Sequence, residues 1–172
     1  KKAIINKFKD DNELSYHAEN ILVSSGAKQT LYNLFQAILG PGDEVIIISP
    51  YWVSYPDMVL LADAKPIIVD TFQKNDFSLD LSAFAEALNE RTKLVIINSP
   101  SNPTGITFGR NDYESIGAIL EDHPNVYVAT DDIYEYIYWG EEPFVSFAQA
   151  CPSLFDRTIT INGVSKSYAM TG

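Results

Sequence analysis

Short apolar runs alternate with longer amphipathic segments along the chain. Runs rich in β-branched residues, the kind found in strands that helices cover on both faces, lie at 45–48, 66–69, 94–97, 126–129 and 158–161, with a shorter candidate at 21–23. Between these runs, apolar residues recur at intervals of three and four, the period of a helix, from Leu31, from Leu81 and from Tyr113. This alternation predicts an α/β fold in three layers, α/β/α, with a mainly parallel sheet.

Local signals predict where some helices begin and end. Ile4, Ile5 and Phe8 share one helical face, which predicts a helix at the start of the sequence, with the pattern of a helix that began earlier. Residues 40–43 (GPGD) form a turn signal that should end the helix containing Leu31. Asn111, with Glu114 three residues later, has the spacing of a capping box at the start of another helix.

The composition narrows the classes of partner. The chain has 172 residues, and its 12 Lys+Arg against 23 Asp+Glu give a net charge of −11, so binding to nucleic acid or to an anionic membrane surface is not expected. No apolar run approaches the ~18 residues of a membrane span. The single cysteine, Cys151, excludes an internal disulfide and a cysteine metal cluster. It fits a reducing compartment, and we expect a cytoplasmic protein.

The residues that follow the predicted strands are the candidates for function, because parallel sheets bind ligands beyond the carboxyl ends of their strands. These segments bring a glycine turn, an aromatic ring, an amide, a carboxylate and a lysine to one edge of the sheet. They are 24–28, 49–52, 98–105, 130–134 and 162–166. Such a set predicts a binding site that several loops share.

Two of these segments offer groups that recognise anions and rings. Gly26 lets the backbone approach a ligand closely, and free N–H groups at the start of the following helix suit a phosphate, although a simple helix cap explains the same residues. The nucleotide-binding motifs GxxxxGK[ST] and GxGxxG do not occur in the sequence. Trp52, in a proline-rich turn, could stack on a planar ring or simply pack at the rim of the core.

The other segments carry polar groups with more than one possible role. Pro103 favours an extended Asn102, whose amide could donate to a ligand oxygen; a plain turn is the alternative. Asp131, if buried, would need a cationic partner and could share its site with Tyr134, or it could be a solvated strand end. The spacing offers no third ligand for a metal, so no metal site is expected. Lys166 could reach solvent or, if desolvated, act as a nucleophile that forms a Schiff base.

Six segments, taken together in their order and spacing, resemble a known family. They are SSGAKQ (24–29), PGDEV (41–45), PYWVSYPDM (50–58), NSPSNPTG (98–105), DDIYE (131–135) and NGVSKSYAMTG (162–172). From residue 21 onward the chain is similar to the large domain of class I and II, fold-type I aminotransferases, which depend on pyridoxal 5′-phosphate (PLP), and most of all to the aspartate aminotransferase branch. The resemblance implies that residues 1–172 form a partial PLP-binding large domain, truncated before the last sheet strand and without the family's N-terminal segment and small domain.

The resemblance implies a role for each candidate residue. Contact with the PLP phosphate is implied for Gly26, Ala27 and Lys28. Contact with the PLP ring is implied for four residues: stacking by Trp52, hydrogen bonds to the phenolic oxygen from Asn102 and Tyr134, and pairing of the ring nitrogen with Asp131. Lys166 is implied to carry PLP as an internal aldimine and to act as the general base.

The implied reaction is transamination between an amino acid, aspartate-like by resemblance, and a 2-oxo acid, catalysed by a homodimer. Other fold-type I PLP reactions stay open, such as those of an aromatic aminotransferase, a β-lyase or an aminocyclopropane carboxylate synthase-like enzyme. A non-catalytic fragment of such an enzyme also stays open. A nicotinamide-dependent reductase is disfavoured because the dinucleotide glycine motif is absent.

The sequence also departs from the family pattern. The family's phosphate-binding arginine lies eight residues beyond the lysine, past Gly172, and the arginine that binds the substrate carboxylate lies later still. Some branches have a serine three residues before the lysine, where this sequence has Gly163. We therefore expect aminotransferase activity in a longer parent protein and none in this stretch alone.

Overall fold

A computed structural model of the chain describes residues 1–171. Five parallel strands form one sheet in the order β2-β1-β3-β4-β5. The strands are β1 (Glu44–Ser49), β2 (Lys65–Asp70), β3 (Thr92–Asn98), β4 (Tyr127–Asp131) and β5 (Thr158–Ile161). The expected parallel sheet is confirmed, and each strand coincides with one of the long apolar runs to within two residues at either end.

Helices of very different lengths connect the strands. They are α1 (Lys2–Asn12), α2 (Ala27–Ile38), α3 (Ser54–Leu61), α4 (Leu81–Ala87), α5 (Arg110–Glu121), α6 (Phe147–Ala150) and α7 (Val164–Ser167), with 3-10 turns at Ala18–Asn20, Gln73–Asn75 and Pro152–Arg157. The predicted N-terminal helix and the helix end before residues 40–43 are both confirmed. Within residues 1–171, no helix is both long and apolar enough to cross a membrane.

The helices cover both faces of the sheet and enclose two cores. Helices α2 and α3 pack on one face, where Phe35 meets Ile47 and its neighbours. Helices α4, α5 and α6 pack on the other face, where Tyr113 meets Ile46. Because side chains alternate across a strand, the adjacent residues Ile46 and Ile47 enter opposite cores. The middle parts of strands such as β1 and β3 are apolar on both faces for this reason, and the predicted α/β/α architecture is confirmed.

Helix α5 packs tightly against the turn at Cys151. A Cβ added to Gly117, in the middle of α5, would lie 2.6 Å from Cys151 Sγ, so the close approach depends on glycine. The buried thiol donates to the carbonyl oxygen of Tyr113 at 3.1 Å, and burial raises the pKa of Cys151 to about 11. Cys151 is therefore a packing residue in its neutral form.

The strand ends that carry the candidate residues lie side by side. Asn98, the last residue of β3, pairs in register with Asp131, the last residue of β4. Asp131 in turn pairs with Ile161, the last residue of β5. Since all the strands run the same way, the segments that follow them meet along one edge, called here the carboxyl edge.

The strand expected at residues 21–23 does not form. A strand needs a neighbour for its backbone N–H and C=O groups, and none of the strands in the described residues lies beside this segment. Leu22 and Val23 are 74% and 65% exposed, so their apolar character does not reflect burial here. The prediction was wrong because a short apolar run cannot indicate its own pairing partner.

The predicted cap of helix α5 is also wrong. The helix begins at Arg110, and the carboxylate of Asp112 accepts a hydrogen bond of 2.8 Å from the backbone N–H of Gly109. Asn111 lies inside the first turn, where its carbonyl oxygen accepts from the Ser115 hydroxyl at 2.8 Å. The start of the helix lies two residues earlier than the Asn111–Glu114 spacing indicated.

Candidate active site

A cleft of about 250 Å³ opens at the carboxyl edge of the sheet. Its walls contain every residue singled out from the sequence as a binding or catalytic candidate: Gly26, Ala27, Lys28, Trp52, Asn102, Asp131, Tyr134 and Lys166. The fold thus brings together residues from both halves of the chain. Four residues that had no assigned role also line the cleft, namely Tyr55, Asn98, Ile133 and Ser165.

One wall of the cleft is the turn that leads into helix α2. Gly26 has φ +87°, in the region that favours glycine, and a Cβ placed there would meet nothing within 4 Å. Helix α2 begins at Ala27, so its first backbone N–H groups lie beside this open space. Lys28 Nζ lies 5.0 Å from the centre of the Trp52 ring. The turn combines helix N–H groups with a lysine, which suits an anion.

The aromatic wall is built by the start of helix α3. The Trp52 and Tyr55 rings meet edge to face, with centres 5.4 Å apart. Tyr55 is buried in the core between α3 and the sheet, whereas Trp52 is half-buried at the rim. The buried tyrosine therefore holds one edge of the tryptophan, whose ring forms part of the cleft wall.

Asp131, at the end of β4, is the buried acid of the cleft. Its Oδ2 accepts a hydrogen bond of 2.6 Å from the Tyr55 hydroxyl. Its Oδ1 is buried and has no hydrogen-bond partner among residues 1–171. Burial raises the pKa of Asp131, while the Tyr55 hydrogen bond and the positive charge of Lys166 oppose that rise. A cationic N–H group at Oδ1 would satisfy this oxygen and favour the ionised acid.

Asn98 ties two walls of the cleft together. Its side-chain amide donates to the backbone carbonyl of Asp131 at 2.7 Å, and its Oδ1 accepts from the backbone N–H of Asn102 at 2.8 Å. Asn102 lies in the loop that follows β3, and Asp131 ends β4. The two polar candidates are thus linked through a third residue.

Lys166 lies in the short helix α7, which follows β5. Its Nζ is 5.8 Å from the centre of the Tyr134 ring. Both residues line the cleft together with Asp131. The cleft therefore holds an amine and a buried acid on the same edge of the sheet.

Tyr55 and Asn98 are the residues whose part in the site the sequence did not reveal. Tyr55 lies in the segment PYWVSYPDM, three residues after Trp52, and one helical turn places the two rings in contact. Asn98 is the last residue of a strand, where a polar side chain is unremarkable. Both residues act through hydrogen bonds to Asp131, which is distant from them in the sequence. The residues next to Tyr55 and Asn98 in the sequence do not indicate such long-range bonds.

A second buried acid lies behind the cleft. Asp132 is 1% exposed, and neither of its carboxylate oxygens has a hydrogen-bond partner in the described part of the chain. Burial, and then the nearby Glu135 and Asp131, raise the pKa of Asp132 well above its usual range. Glu135 forms an ion pair with Lys7 of helix α1 and accepts from the Asn12 amide at 3.2 Å. These contacts connect helix α1 to the segment that carries Asp131.

Within residues 1–171, no group of three or more His, Cys, Asp or Glu side chains is placed to hold a metal ion.

Comparison with known proteins gives a consistent result. The family model for aminotransferase class I and II matches residues 1–172. The aspartate/prephenate aminotransferase of Nitrosomonas europaea is 48% identical over all 172 residues, and that of Cereibacter sphaeroides is 47% identical. In each case the chain covers 43% of the relative, so it spans less than half the length of the curated relatives it matches.

Solved structures agree with this result. The aspartate aminotransferase from Rhizobium meliloti superposes with a TM-score of 0.96 at 45% identity, covering 99% of this chain and 43% of that one. The aromatic aminotransferase from Pyrococcus horikoshii gives a TM-score of 0.93 at 36% identity, covering 99% of this chain and 45% of that one. With the family model matching from end to end, the chain belongs to the aminotransferase class I and II family.

Proposed function

We propose that this chain is part of the PLP-binding large domain of an aminotransferase, an enzyme that exchanges an amino group between an amino acid and a 2-oxo acid. One arrangement carries the proposal: Asp131, with its buried Oδ1 unpartnered among the described residues, lines the same cleft as the amine of Lys166. The free oxygen suits a protonated pyridine nitrogen, and the amine suits an aldehyde. PLP carries both groups on one ring.

The remaining residues of the cleft fit the other parts of PLP. The open turn at Gly26 and the start of α2 at Ala27, with Lys28 beside them, would hold the phosphate. Trp52 would pack on the face of the ring, and Asn102 and Tyr134 would bind its phenolic oxygen. Each proposed contact uses a residue that already lines the cleft.

The residues of the chain would divide the chemistry between them. When bound, PLP supplies an electron sink for the bond that breaks at the substrate α-carbon. Asp131 would keep a proton on the ring nitrogen, and Tyr55, bound to Oδ2, would leave Oδ1 for that contact. Lys166 would hold the cofactor and, when its amine is free, accept a proton from the substrate carbon and return it.

The substrates we propose are an aspartate-like amino acid and a 2-oxo acid. Support comes from relatives whose names specify aspartate and prephenate, at 46% to 49% identity. An aromatic amino acid is the second candidate, because an aromatic aminotransferase shares the fold at 36% identity. Product formation by the full chain that the gene encodes, from aspartate and from phenylalanine with 2-oxoglutarate, separates the two. Turnover of phenylalanine but not of aspartate would overturn the proposal of an aspartate-like substrate.

We also propose that the parent enzyme is a cytoplasmic homodimer. The family resemblance supports the dimer, and a single, buried cysteine, Cys151, fits a reducing compartment. Sedimentation velocity on the full chain that the gene encodes tests the assembly. A monomer at micromolar concentration would contradict it.

Chemical trapping tests the cofactor assignment directly. The chain is incubated with PLP, reduced with borohydride, digested and mapped by mass spectrometry. We expect the label on Lys166 in the wild-type protein and its loss in Lys166→Ala. Lys74→Ala is the matched control, because Lys74 is an exposed residue of a 3-10 turn that does not line the cleft, and this variant should keep the label. Label scattered over several lysines, with none favouring Lys166, would overturn the assignment.

A further inference from the structure

We propose that Asn98 is a positioning residue that sets the distance between two polar groups, Asp131 and Asn102, that would bind different atoms of the cofactor ring. The inference rests on the proposed function, since it concerns the same cleft. Asn98 uses both ends of its side-chain amide: the NH₂ group donates to the Asp131 carbonyl at 2.7 Å, and Oδ1 accepts from the Asn102 N–H at 2.8 Å. One side chain thus connects the proposed ligand of the ring nitrogen with the proposed ligand of the phenolic oxygen.

The two connected residues belong to different elements. Asp131 ends β4 and is held by strand pairing with β3 and β5. Asn102 lies in a loop that is closed on itself, because the Ser101 N–H donates to the Ile106 carbonyl at 2.9 Å and the Gly105 N–H to the Ser101 carbonyl at 2.8 Å. These internal bonds fix the shape of the loop but do not themselves connect it to β4. Asn98 forms one hydrogen bond with the loop, at Asn102, and one with β4, at Asp131.

Recognition of a planar ring depends on that relative position. A ring that is bound through its nitrogen and through the oxygen on a nearby ring carbon requires the two protein groups at a fixed separation. A shift of the Asn102 loop by a fraction of an ångström would lengthen one contact or the other, and hydrogen bonds weaken steeply with poor geometry. Loss of Asn98 should therefore weaken cofactor binding and change the environment of the phenolic oxygen, even though both ends of its side-chain amide bind other residues of the protein.

The chain offers a matched control at the opposite edge of the sheet. Asn89 also uses both ends of its amide, donating to Glu44 Oε2 at 2.8 Å and accepting from the Arg91 N–H at 2.9 Å. Glu44 is the first residue of β1, so these bonds lie at the amino ends of the strands. Loss of Asn89 removes comparable hydrogen bonds without touching the cleft.

The experiment compares Asn98→Leu and Asn98→Ala with Asn89→Leu in the full chain that the gene encodes. Wild-type protein is first tested for borohydride labelling of Lys166; absence of that label would overturn the proposed function itself. Where the label is present, we expect both Asn98 variants to raise the dissociation constant of PLP about tenfold and to shift the midpoint of the pH titration of bound PLP's visible absorption. Asn89→Leu should lower the melting temperature and leave both cofactor readouts unchanged.

A double variant separates positioning from a general loss of stability. If Asn98 acts through Asn102, adding Asn98→Leu to Asn102→Ala should shift the absorption titration much less than it does in the wild-type background. Full additivity of the two shifts would overturn the proposal. So would Asn98 variants that lower the melting temperature as Asn89→Leu does while binding PLP with wild-type affinity. If Asn98→Leu does not fold, the same measurements are made with Asn98→Ala, which adds no new side-chain volume.

Discussion

The hydroxyl of Tyr55 donates a 2.6 Å hydrogen bond to Oδ2 of Asp131, although the two residues are 76 positions apart in the sequence. The bond joins the first turn of helix α3 to the last residue of strand β4. It occupies one oxygen of the carboxylate and leaves the other without a partner among residues 1–171. Asp131 is thus oriented by the protein on one side and free to bind on the other.

Tyr55→Phe should weaken PLP binding without unfolding the protein. The hydrogen bond from Tyr55 lowers the pKa of Asp131, so its removal lets burial raise that pKa further and disfavours the ionised acid. A hydrogen bond to a charged group contributes about 1.5–3 kcal/mol, which corresponds to a loss of roughly 10- to 100-fold in affinity. Equilibrium dialysis with PLP measures the change.

Tyr113→Phe is the control for that experiment. Tyr113 is buried as deeply as Tyr55 but packs on the opposite face of the sheet. Its variant should bind PLP as the wild-type protein does. If Tyr55→Phe binds PLP with the same affinity as the wild-type protein, the hydrogen bond between Tyr55 and Asp131 does not contribute to PLP binding.

Asp132→Asn should flatten the dependence of stability on pH. The carboxyl of Asp132 ionises near its ordinary pKa of ~3.9 in the unfolded chain, whereas burial raises that pKa in the folded protein. Between these two values the folded state binds more protons, so stability falls as pH rises, by at most about 1.4 kcal/mol per pH unit for one group. The asparagine variant has no carboxyl to titrate at this position. It should therefore lack the part of the fall in stability that Asp132 causes as the pH rises above ~4.

Urea unfolding at pH 5 and pH 8 measures this effect. The stability difference between the two pH values should be smaller in Asp132→Asn than in the wild-type protein. Asp122→Asn, at an exposed position just after helix α5, should keep the wild-type difference. An unchanged difference in Asp132→Asn would show that Asp132 is ionised in the folded protein.

Lys7→Met should destabilise the protein, because it leaves the buried carboxylate of Glu135 without its cationic partner. Breaking a buried ion pair from one side costs about 3–5 kcal/mol. Lys9→Met, at an exposed position of the same helix, should change the free energy of unfolding by less than about 0.5 kcal/mol. If a double variant, Lys7→Met with Glu135→Gln, is no more stable than Lys7→Met alone, the unpaired charge is not the cause.

Gly117→Ala should also destabilise the protein, since the new methyl group would lie 2.6 Å from Cys151 Sγ. Overpacking of this kind costs about 1–3 kcal/mol. Gly40→Ala is the matched control, because a Cβ there meets nothing within 4 Å. Removing the sulfur with Cys151→Ala should restore part of the stability of Gly117→Ala. Failure of that rescue would mean that another contact causes the loss.

The sheet and its ligand-binding edge could be predicted from the sequence because both depend on local pattern. Runs such as 45–48 are apolar throughout since helices cover both faces of the sheet, and the residues after each strand fall at the same edge of a parallel sheet. Residues as distant as Trp52 and Lys166 could therefore be placed near each other before any contact was known.

The parts that could not be predicted depend on partners that are remote in sequence. Residues 21–23 have strand-like composition, but no strand within residues 1–171 pairs with them. The bonds of Tyr55 and Asn98 to Asp131 cross between elements, and nothing near either residue indicates them. Asp132 comes directly after a predicted strand, and nothing in its sequence neighbours indicates that the fold buries it.

The strand order has a consequence for how the protein is made. Strand β1 lies between β2 and β3, and β4 and β5 then add in turn beyond β3. Each of these five strands of residues 1–171 can therefore join an edge that is already present as it leaves the ribosome, and none of the five has to insert between two paired neighbours. Lys166 follows the last of these five strands along the chain, so its amine is made after the glycine turn, the aromatic wall and the buried acid.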